Sequence, residues 1–218
     1  MIFIKKILII FFVVLFIPII KLRSFNKVSD KELIIFLDPG HGGFDPGATS
    51  DNILEKDINL SVCNYLYELL NNSIFIVKTS RVGDYDLSVD NKNKKRSDIH
   101  QRVKMIKDLE PDLVVSIHVN AYPDNSLYGA QTFYTNKNIE NNIIAEIIQK
   151  NLKYNTNTRR FCKEKNDVYL LNNIDCPAVL VEIGFLSNLQ EKSLLINKNY
   201  QENLAIILYN SVLEYFEK

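Results

Sequence analysis

Three histidines occur among 218 residues, so each can be weighed as a metal ligand or a base. His41 stands in Asp38-Pro39-Gly40-His41-Gly42-Gly43 and His118 in Ser116-Ile117-His118-Val119-Asn120. Each follows a short apolar run, which puts it at the carboxyl end of a strand, where open α/β sheets hold their ligands. Glycines on both sides of His41 indicate a tight turn and close approach of backbone to something bound. Taken singly, either imidazole fits a turn or a core as well as a ligand role. Together, on neighbouring strand ends, they suit a zinc site built from neutral imidazoles. His100 sits in the charged stretch Asp98-Ile99-His100-Gln101-Arg102 and reads as solvated surface.

A catalytic zinc takes a third protein ligand and keeps one position open for water. Glu55, in Leu54-Glu55-Lys56-Asp57, opens a helical pattern and is the first choice. Asp57 is nearly as well placed, and a carboxylate in a first helical turn can simply complement the helix dipole. Spacing alone leaves that choice open. Glu182 lies in the apolar run Ala178-Val179-Leu180-Val181-Glu182-Ile183-Gly184-Phe185. Burying a carboxylate there is costly unless it is paired or functional. Desolvation would raise its pKa toward the working range of a general base; an ion pair with a buried arginine is the structural alternative. Asn120, beside His118, is a position from which substrate or the metal ligands could be oriented.

The elements that must position these groups alternate along the chain. Strands are expected at Leu33–Leu37, Ile74–Lys78, Leu113–Ile117, Gln131–Thr135, Val168–Leu171 and Ala178–Ile183, all short and apolar, as strands buried on both faces are. Between them, Ile58, Val62, Leu66 and Leu69 recur at helical spacing, as do Ile143, Ile144, Ile147 and Ile148. A last helix carries Leu204, Ile207, Leu208, Val212, Tyr215 and Phe216 on one wide stripe. Ser187 and Gln190 have the spacing of a capping box, and Gly83–Ser97 reads as a long surface loop. The pattern predicts an α/β fold: a central, mostly parallel twisted sheet of about six strands with helices on both faces, in one domain over residues 31–218.

Composition narrows the function classes. Formal charge is zero, from 26 basic and 26 acidic residues. Four of the basic ones, Lys5, Lys6, Lys21 and Arg23, lie in the first 23 residues, which leaves 22 against 26, a net of −4. That lacks the basic footprint that nucleic acid demands. Lys5 and Lys6 precede a 14-residue apolar run, Ile7 to Ile20. Residues 1–23 are therefore expected to be a signal peptide or an N-terminal membrane anchor, with 24–30 as linker and the domain working outside the cytoplasm. Cys63, Cys162 and Cys176 are odd in number and match no metal knuckle; Cys63 reads as buried packing.

Four stretches resemble one family in register: Phe36-Leu37-Asp38-Pro39-Gly40-His41-Gly42-Gly43-Phe44-Asp45-Pro46-Gly47-Ala48, Glu55-Lys56-Asp57, Ser116-Ile117-His118-Val119-Asn120-Ala121 and Val181-Glu182-Ile183-Gly184-Phe185-Leu186-Ser187-Asn188. They are similar to the zinc-dependent N-acetylmuramoyl-L-alanine amidases, and the likeness runs from Leu33 to Phe216. It implies that His41, Glu55 and His118 hold Zn²⁺, favouring Glu55 over Asp57, and that Glu182 is the catalytic acid/base. Thr79-Ser80-Arg81 departs from the Thr-Arg of many relatives, beside the implied site. Further stretches, Lys95-Arg96-Ser97-Asp98-Ile99-His100-Gln101-Arg102, Gly129-Ala130-Gln131-Thr132-Phe133-Tyr134, Thr158-Arg159-Arg160 and Val168-Tyr169-Leu170-Leu171, resemble the germination-specific type of spore formers. The resemblance implies cleavage of the muramic acid–L-alanine amide in spore-cortex peptidoglycan, the first step toward muramic-δ-lactam. A general autolysin and a non-catalytic wall-binding domain are the competing expectations. Targeting is expected from the N-terminal segment or from a partner protein, which could also activate the enzyme.

Overall fold

The computed structural model describes residues 32–217; the expected signal or anchor and its linker lie outside them. Among the described residues no helix is long and apolar enough to cross a membrane. In chain order the elements are β1 (Leu33–Pro39), β2 (Thr49–Ser50), β3 (Ile53–Leu54), α1 (Glu55–Asn71), β4 (Phe75–Thr79), α2 (Lys94–Leu109), β5 (Leu113–Asn120), β6 (Gln131–Tyr134), α3 (Ile139–Asn155), β7 (Lys163–Glu164), α4 (Tyr169–Asn172), β8 (Ala178–Phe185), α5 (Leu189–Leu195) and α6 (Lys198–Phe216). A six-stranded sheet has the order β4-β1-β5-β8-β6-β7. β4, β1, β5 and β8 run parallel; β6 runs antiparallel to β8 and carries β7 along with it.

Two cores follow from strand alternation. Ile35, Leu37, Val115, Ile117, Val179 and Val181 face one way and pack with Val62 and Leu66 of α1, Ile144 and Ile148 of α3, and Leu204 and Leu208 of α6. Phe36, Val114, Phe133, Ala178 and Leu180 face the other way, under Val103 and Ile106 of α2 and Leu170 and Leu171 of α4. Three long helices thus seal one face. The other is covered by α2 and a single turn, and near the carboxyl ends of the strands it changes from apolar to polar: Asp38 follows Phe36, Ser116 and His118 follow Val114, and Glu182 follows Leu180. Cys63 is buried in the larger core, and all three cysteines are free thiols.

Several expectations are corrected. Val168–Leu171 is not a strand: its last three residues begin α4, and Leu170 and Leu171 are both buried. Consecutive burial does not separate a helical turn from a strand covered on both faces, as β1 and β5 are, and four residues carry too little period to tell. The sixth strand is instead the exposed pair Lys163–Glu164, recruited by backbone pairing with β6 and invisible to a hydrophobic pattern. Asn188, not Ser187, caps α5, accepting from the N–H groups of Gln190 and Glu191, while the Ser187 hydroxyl accepts from Tyr122 N–H. The long loop ends at Asn93, where α2 begins. His100 is half-buried and stacked on Tyr169, ring centroids 5.2 Å apart.

Beneath the polar end of the sheet lies a buried ionic joint. Arg102 and Asp38 are both about 2% exposed and pair at 2.6 Å; Asp98 holds the other side of the guanidinium at 2.6 Å. Asp38 also accepts from Ser80 at 2.6 Å and Ser116 at 2.8 Å. Burial by itself would raise the Asp38 pKa, but Arg102 and the two hydroxyls overcome it and hold the group at about 2. A folded-state pKa below the ordinary value of 3.8 means stabilisation that is present above that value and lost as pH falls through about 2. Asp38→Asn is therefore expected to destabilise the fold by roughly 2–4 kcal/mol at pH 7, since Arg102 loses a buried partner. Guanidinium denaturation should show the gap to wild type closing between pH 4 and pH 2; a gap independent of pH would contradict the assignment.

Candidate metal centre

The turn after β1 is bent for His41. This residue has φ 62°, the left-handed region, and Gly42 and Gly43 follow at φ 135° and 55°. A non-glycine residue there is strained by roughly 1–3 kcal/mol and persists when its surroundings over-determine it. Two buried arginines do so. Arg102 donates to the carbonyls of Pro39 (2.9 Å) and His41 (2.6 Å). Arg81 donates to those of Pro39 (3.1 Å), Gly40 (3.0 Å) and Lys56 (2.8 Å). Lys56 donates to Gly43 O at 2.8 Å, and Gly42 and Asp45 exchange backbone hydrogen bonds. The Thr79-Ser80-Arg81 departure thus lies directly under the turn.

His41, Glu55 and His118 converge, with one ligand atom from each lying within 4.8 Å of the others. Glu55 Oε1 is 3.3 Å from His41 Nε2 and 3.1 Å from His118 Nδ1, and the two rings meet edge to face at 5.0 Å. Glu55 heads α1, whose start is fixed by Glu55 N–H to Ala48 O at 2.9 Å. Its carboxylate is aimed by N–H groups of Ala48 (2.7 Å) and Val119 (3.0 Å) and by the Asn59 amide (3.2 Å). Asp57, the competing carboxylate, points to solvent from the same helix.

Glycine makes the convergence possible. A Cβ on Gly40 would stand 2.2 Å from His118 Cε1, and one on Gly47, at φ 67°, would stand 2.5 Å from Glu55 Oε2. Behind His41, Asp45 Oδ2 lies 2.9 Å from Nδ1, so Nε2 is the nitrogen turned to the cluster; a carboxylate behind a ligating imidazole fixes its tautomer. Burial lowers the His41 pKa, but Glu55 and then Asp45 outweigh it and bring it up to about 9. Burial raises that of Glu55, and the two imidazoles pull it far below the carboxylate range. Two imidazole nitrogens and one carboxylate oxygen, compact and mutually stabilised, form a donor set that zinc accepts.

Glu182 stands beside this trio through sheet register, since His118 of β5 pairs with Glu182 of β8. Its Oε2 is buried without a hydrogen-bond partner, and burial, the leading cause, raises its pKa to about 6. The buried-arginine alternative does not hold: Arg81 and Arg102 spend their donors on Asp38, Asp98, Ser80 and backbone carbonyls. Asn120 follows an irregularity in the β5–β8 register; its carbonyl accepts from Leu186 N–H at 2.8 Å, and its side chain makes no hydrogen bond among the described residues. Sequence reasoning missed Asp45, Asn59, Asp38 and the two arginines. Asp38 and Asp45 lie within the glycine-rich stretch and could have been flagged; Asn59, Arg81 and Arg102 carry no local signal.

Comparison with known proteins gives the chain its family. Residues 35–214 match the family model Amidase_3, N-acetylmuramoyl-L-alanine amidase. The germination-specific N-acetylmuramoyl-L-alanine amidase of Bacillus subtilis (strain 168) is 41% identical over 188 residues, 84% of this chain and 79% of the relative. The CwlD amidase from Clostridioides difficile, solved in complex with the GerS lipoprotein, superposes with a TM-score of 0.82 at 36% identity, covering 85% of this chain and 99% of that one. An N-acetylmuramoyl-L-alanine amidase from Clostridium difficile 630 follows at 0.77 and 31%, covering 86% and 98%. With its motifs, its mostly parallel six-stranded sheet and its His–Glu–His cluster in one frame, the chain belongs to the N-acetylmuramoyl-L-alanine amidase family.

Proposed function

We propose that this enzyme is a zinc-dependent hydrolase of the amide bond between N-acetylmuramic acid and L-alanine in peptidoglycan. The observation that carries the reading is the convergence of His41, Glu55 and His118 with the unpartnered Glu182 carboxylate next to them in register. His41, Glu55 and His118 would hold the ion, with Asp45 and Asn59 orienting two of them. Bound zinc would supply Lewis acidity, lowering the pKa of a water to about 7 and polarising the scissile carbonyl.

Glu182 takes up the attacking water's proton and returns it to the departing amine of L-alanine. Burial suits it to both proton transfers, because a carboxylate with a pKa near 6 is a stronger base than an exposed glutamate and still ionised near neutrality. Asn120 offers a neutral amide to the substrate's peptide groups. A non-catalytic wall-binding role has no use for a desolvated, partnerless carboxylate, which destabilises the fold without compensation.

The likeness to a germination-specific amidase at 41% identity and to the CwlD amidase supports action on spore cortex, on the way to muramic-δ-lactam, over a general autolysin. The apolar segment 7–20 would place the domain (residues 31–218) outside the cytoplasm as a signal or anchor. The CwlD structure with a lipoprotein supports a protein partner as well.

Glu182→Ala is expected to keep zinc and fold while losing about 10²–10⁴-fold in rate; wild-type turnover would defeat the acid/base assignment. His118→Ala should lose the metal itself, read by elemental analysis of the purified protein, and stoichiometric zinc in that variant would contradict the ligand set. Mass spectrometry of muropeptides incubated with the purified chain should show free stem peptide and unsubstituted muramic acid, both abolished by chelator. In spores of a deletion strain muramic-δ-lactam should vanish; its persistence would leave the autolysin reading in place.

A further inference from the structure

The row of groups on the site face of the sheet does not end at Glu182. Gln131 of β6 pairs with Glu182 of β8, so His118, Glu182 and Gln131 stand side by side on three neighbouring strands and on the same face. Directly opposed residues of a sheet project together. Beyond them lie two cations. Arg160 donates from Nη1 to Gln131 Oε1 at 3.2 Å and from Nε to Tyr128 O at 2.7 Å, and its guanidinium carbon lies 4.6 Å over the Phe185 ring. Lys165 holds its ammonium 5.2 Å over the ring of Phe133. Phe133 is two residues on from Gln131 on the same face, opposite Leu180.

Neither cation has a carboxylate at ion-pair distance among the described residues. Glu191 feels the charge of Arg160, but its two oxygens accept from the N–H groups of Gly129 and Phe185. The opposite flank of the trio differs. A cavity of about 180 Å³ there is lined by His41, His118, Lys95, Arg102 and Tyr169 among others, and both of its permanent cations are already paired, Lys95 with Asp45 at 2.8 Å and Arg102 with Asp38 and Asp98. Glu182 feels the charge of Lys165 without an ion pair, so one side of the site offers two half-buried positive charges held by aromatic rings and outside any ion pair, and the other offers none that is unpaired.

We propose that Arg160 and Lys165, braced by Gln131, Phe185 and Phe133, form a carboxylate-binding subsite for the stem peptide. The proposal rests on the amidase reading and deepens it. An amide joining an N-acetylated sugar acid to a peptide is chemically lopsided: the sugar side is uncharged, and the peptide side carries free carboxylates. The peptide accordingly runs from Glu182 toward β6 and β7, and the sugar occupies the cavity beside Tyr169. A guanidinium immobilised by two hydrogen bonds and a ring loses little freedom when it takes a carboxylate, so the contact discriminates by charge.

The test uses the full chain in detergent with zinc, and two soluble substrates whose D-glutamate γ-carboxyl is capped as a methylamide: N-acetylmuramyl-L-alanyl-D-glutamate with its α-carboxylate free, and the same compound with that group amidated. Wild type should favour the free acid in kcat/KM by about tenfold or more at low ionic strength, with the preference shrinking as salt rises. In Arg160→Gln/Lys165→Gln the ratio should fall to within about twofold of one. Lys165→Gln alone, at a half-exposed position, should lower it part of the way even if the double variant folds poorly. Equal rates on both substrates in wild type, or an undiminished ratio in the variants, would overturn the subsite and leave the amidase reading intact. A wild type that cleaves neither these substrates nor muropeptides would defeat the amidase reading, and the subsite with it.

Discussion

The buried pair of Arg102 and Asp38 is the joint on which the rest of this site hangs. Asp38 ends the apolar part of β1 and ties Ser80 beyond β4, Ser116 of β5 and Arg102 of α2 into one knot. Arg102 passes the constraint upward by holding the carbonyls of Pro39 and His41. A left-handed histidine would relax on its own. Here it cannot, because the groups that hold its carbonyl are charged, desolvated and already satisfied in that one arrangement. Removing either partner would strand a charge in the interior, so the network is rigid in the sense that its alternatives are all worse.

The electrostatics of the site divide along the same lines. Charges below the sheet ends are paired and permanently ionised. Charges at the trio are mutually stabilised, imidazole against carboxylate, so that a cation with two nitrogens and one oxygen to bind meets a preformed cluster. Glu182 alone is left without a counter-charge in contact and with one oxygen unbonded. Unpaired and with Oε2 buried, its pKa is raised above the ordinary glutamate range by burial, as would suit an acid that takes and returns a proton. The desolvation that weakens the fold locally is what would equip the residue for this role.

Glycine complements these charges by making room. Gly40 and Gly47 lie where any side chain would collide with His118 or Glu55, so the donor atoms approach one another across bare backbone. Turn geometry accounts for Gly42, Gly43 and Gly47, which all adopt positive φ; the room left for the donor groups accounts for Gly40 and adds a second reason for Gly47.

Much of the molecule was legible in the sequence. Alternating apolar periods named the α/β class and five of the six strands of the main sheet, because strands buried on both faces and amphipathic helices differ in period. A histidine after β1 and one near the end of β5, a glutamate opening α1 and a carboxylate inside an apolar strand could be singled out because each breaks the rule of its own element. Other features depended on contacts between residues far apart in the chain. The β6–β7 pairing joins an exposed pair with no hydrophobic signature, and α4 is too short to show a period. Arg81 and Arg102 look like surface residues until β1 and its turn are laid over them. Spacing left Glu55 and Asp57 open and the family resemblance favoured Glu55; the fold supplies the physical reason, since it turns Glu55 inward and leaves Asp57 exposed. Local pattern fixes what a segment can form; which charged side chain is buried, and against what, is decided by packing of segments that the chain brings together only on folding.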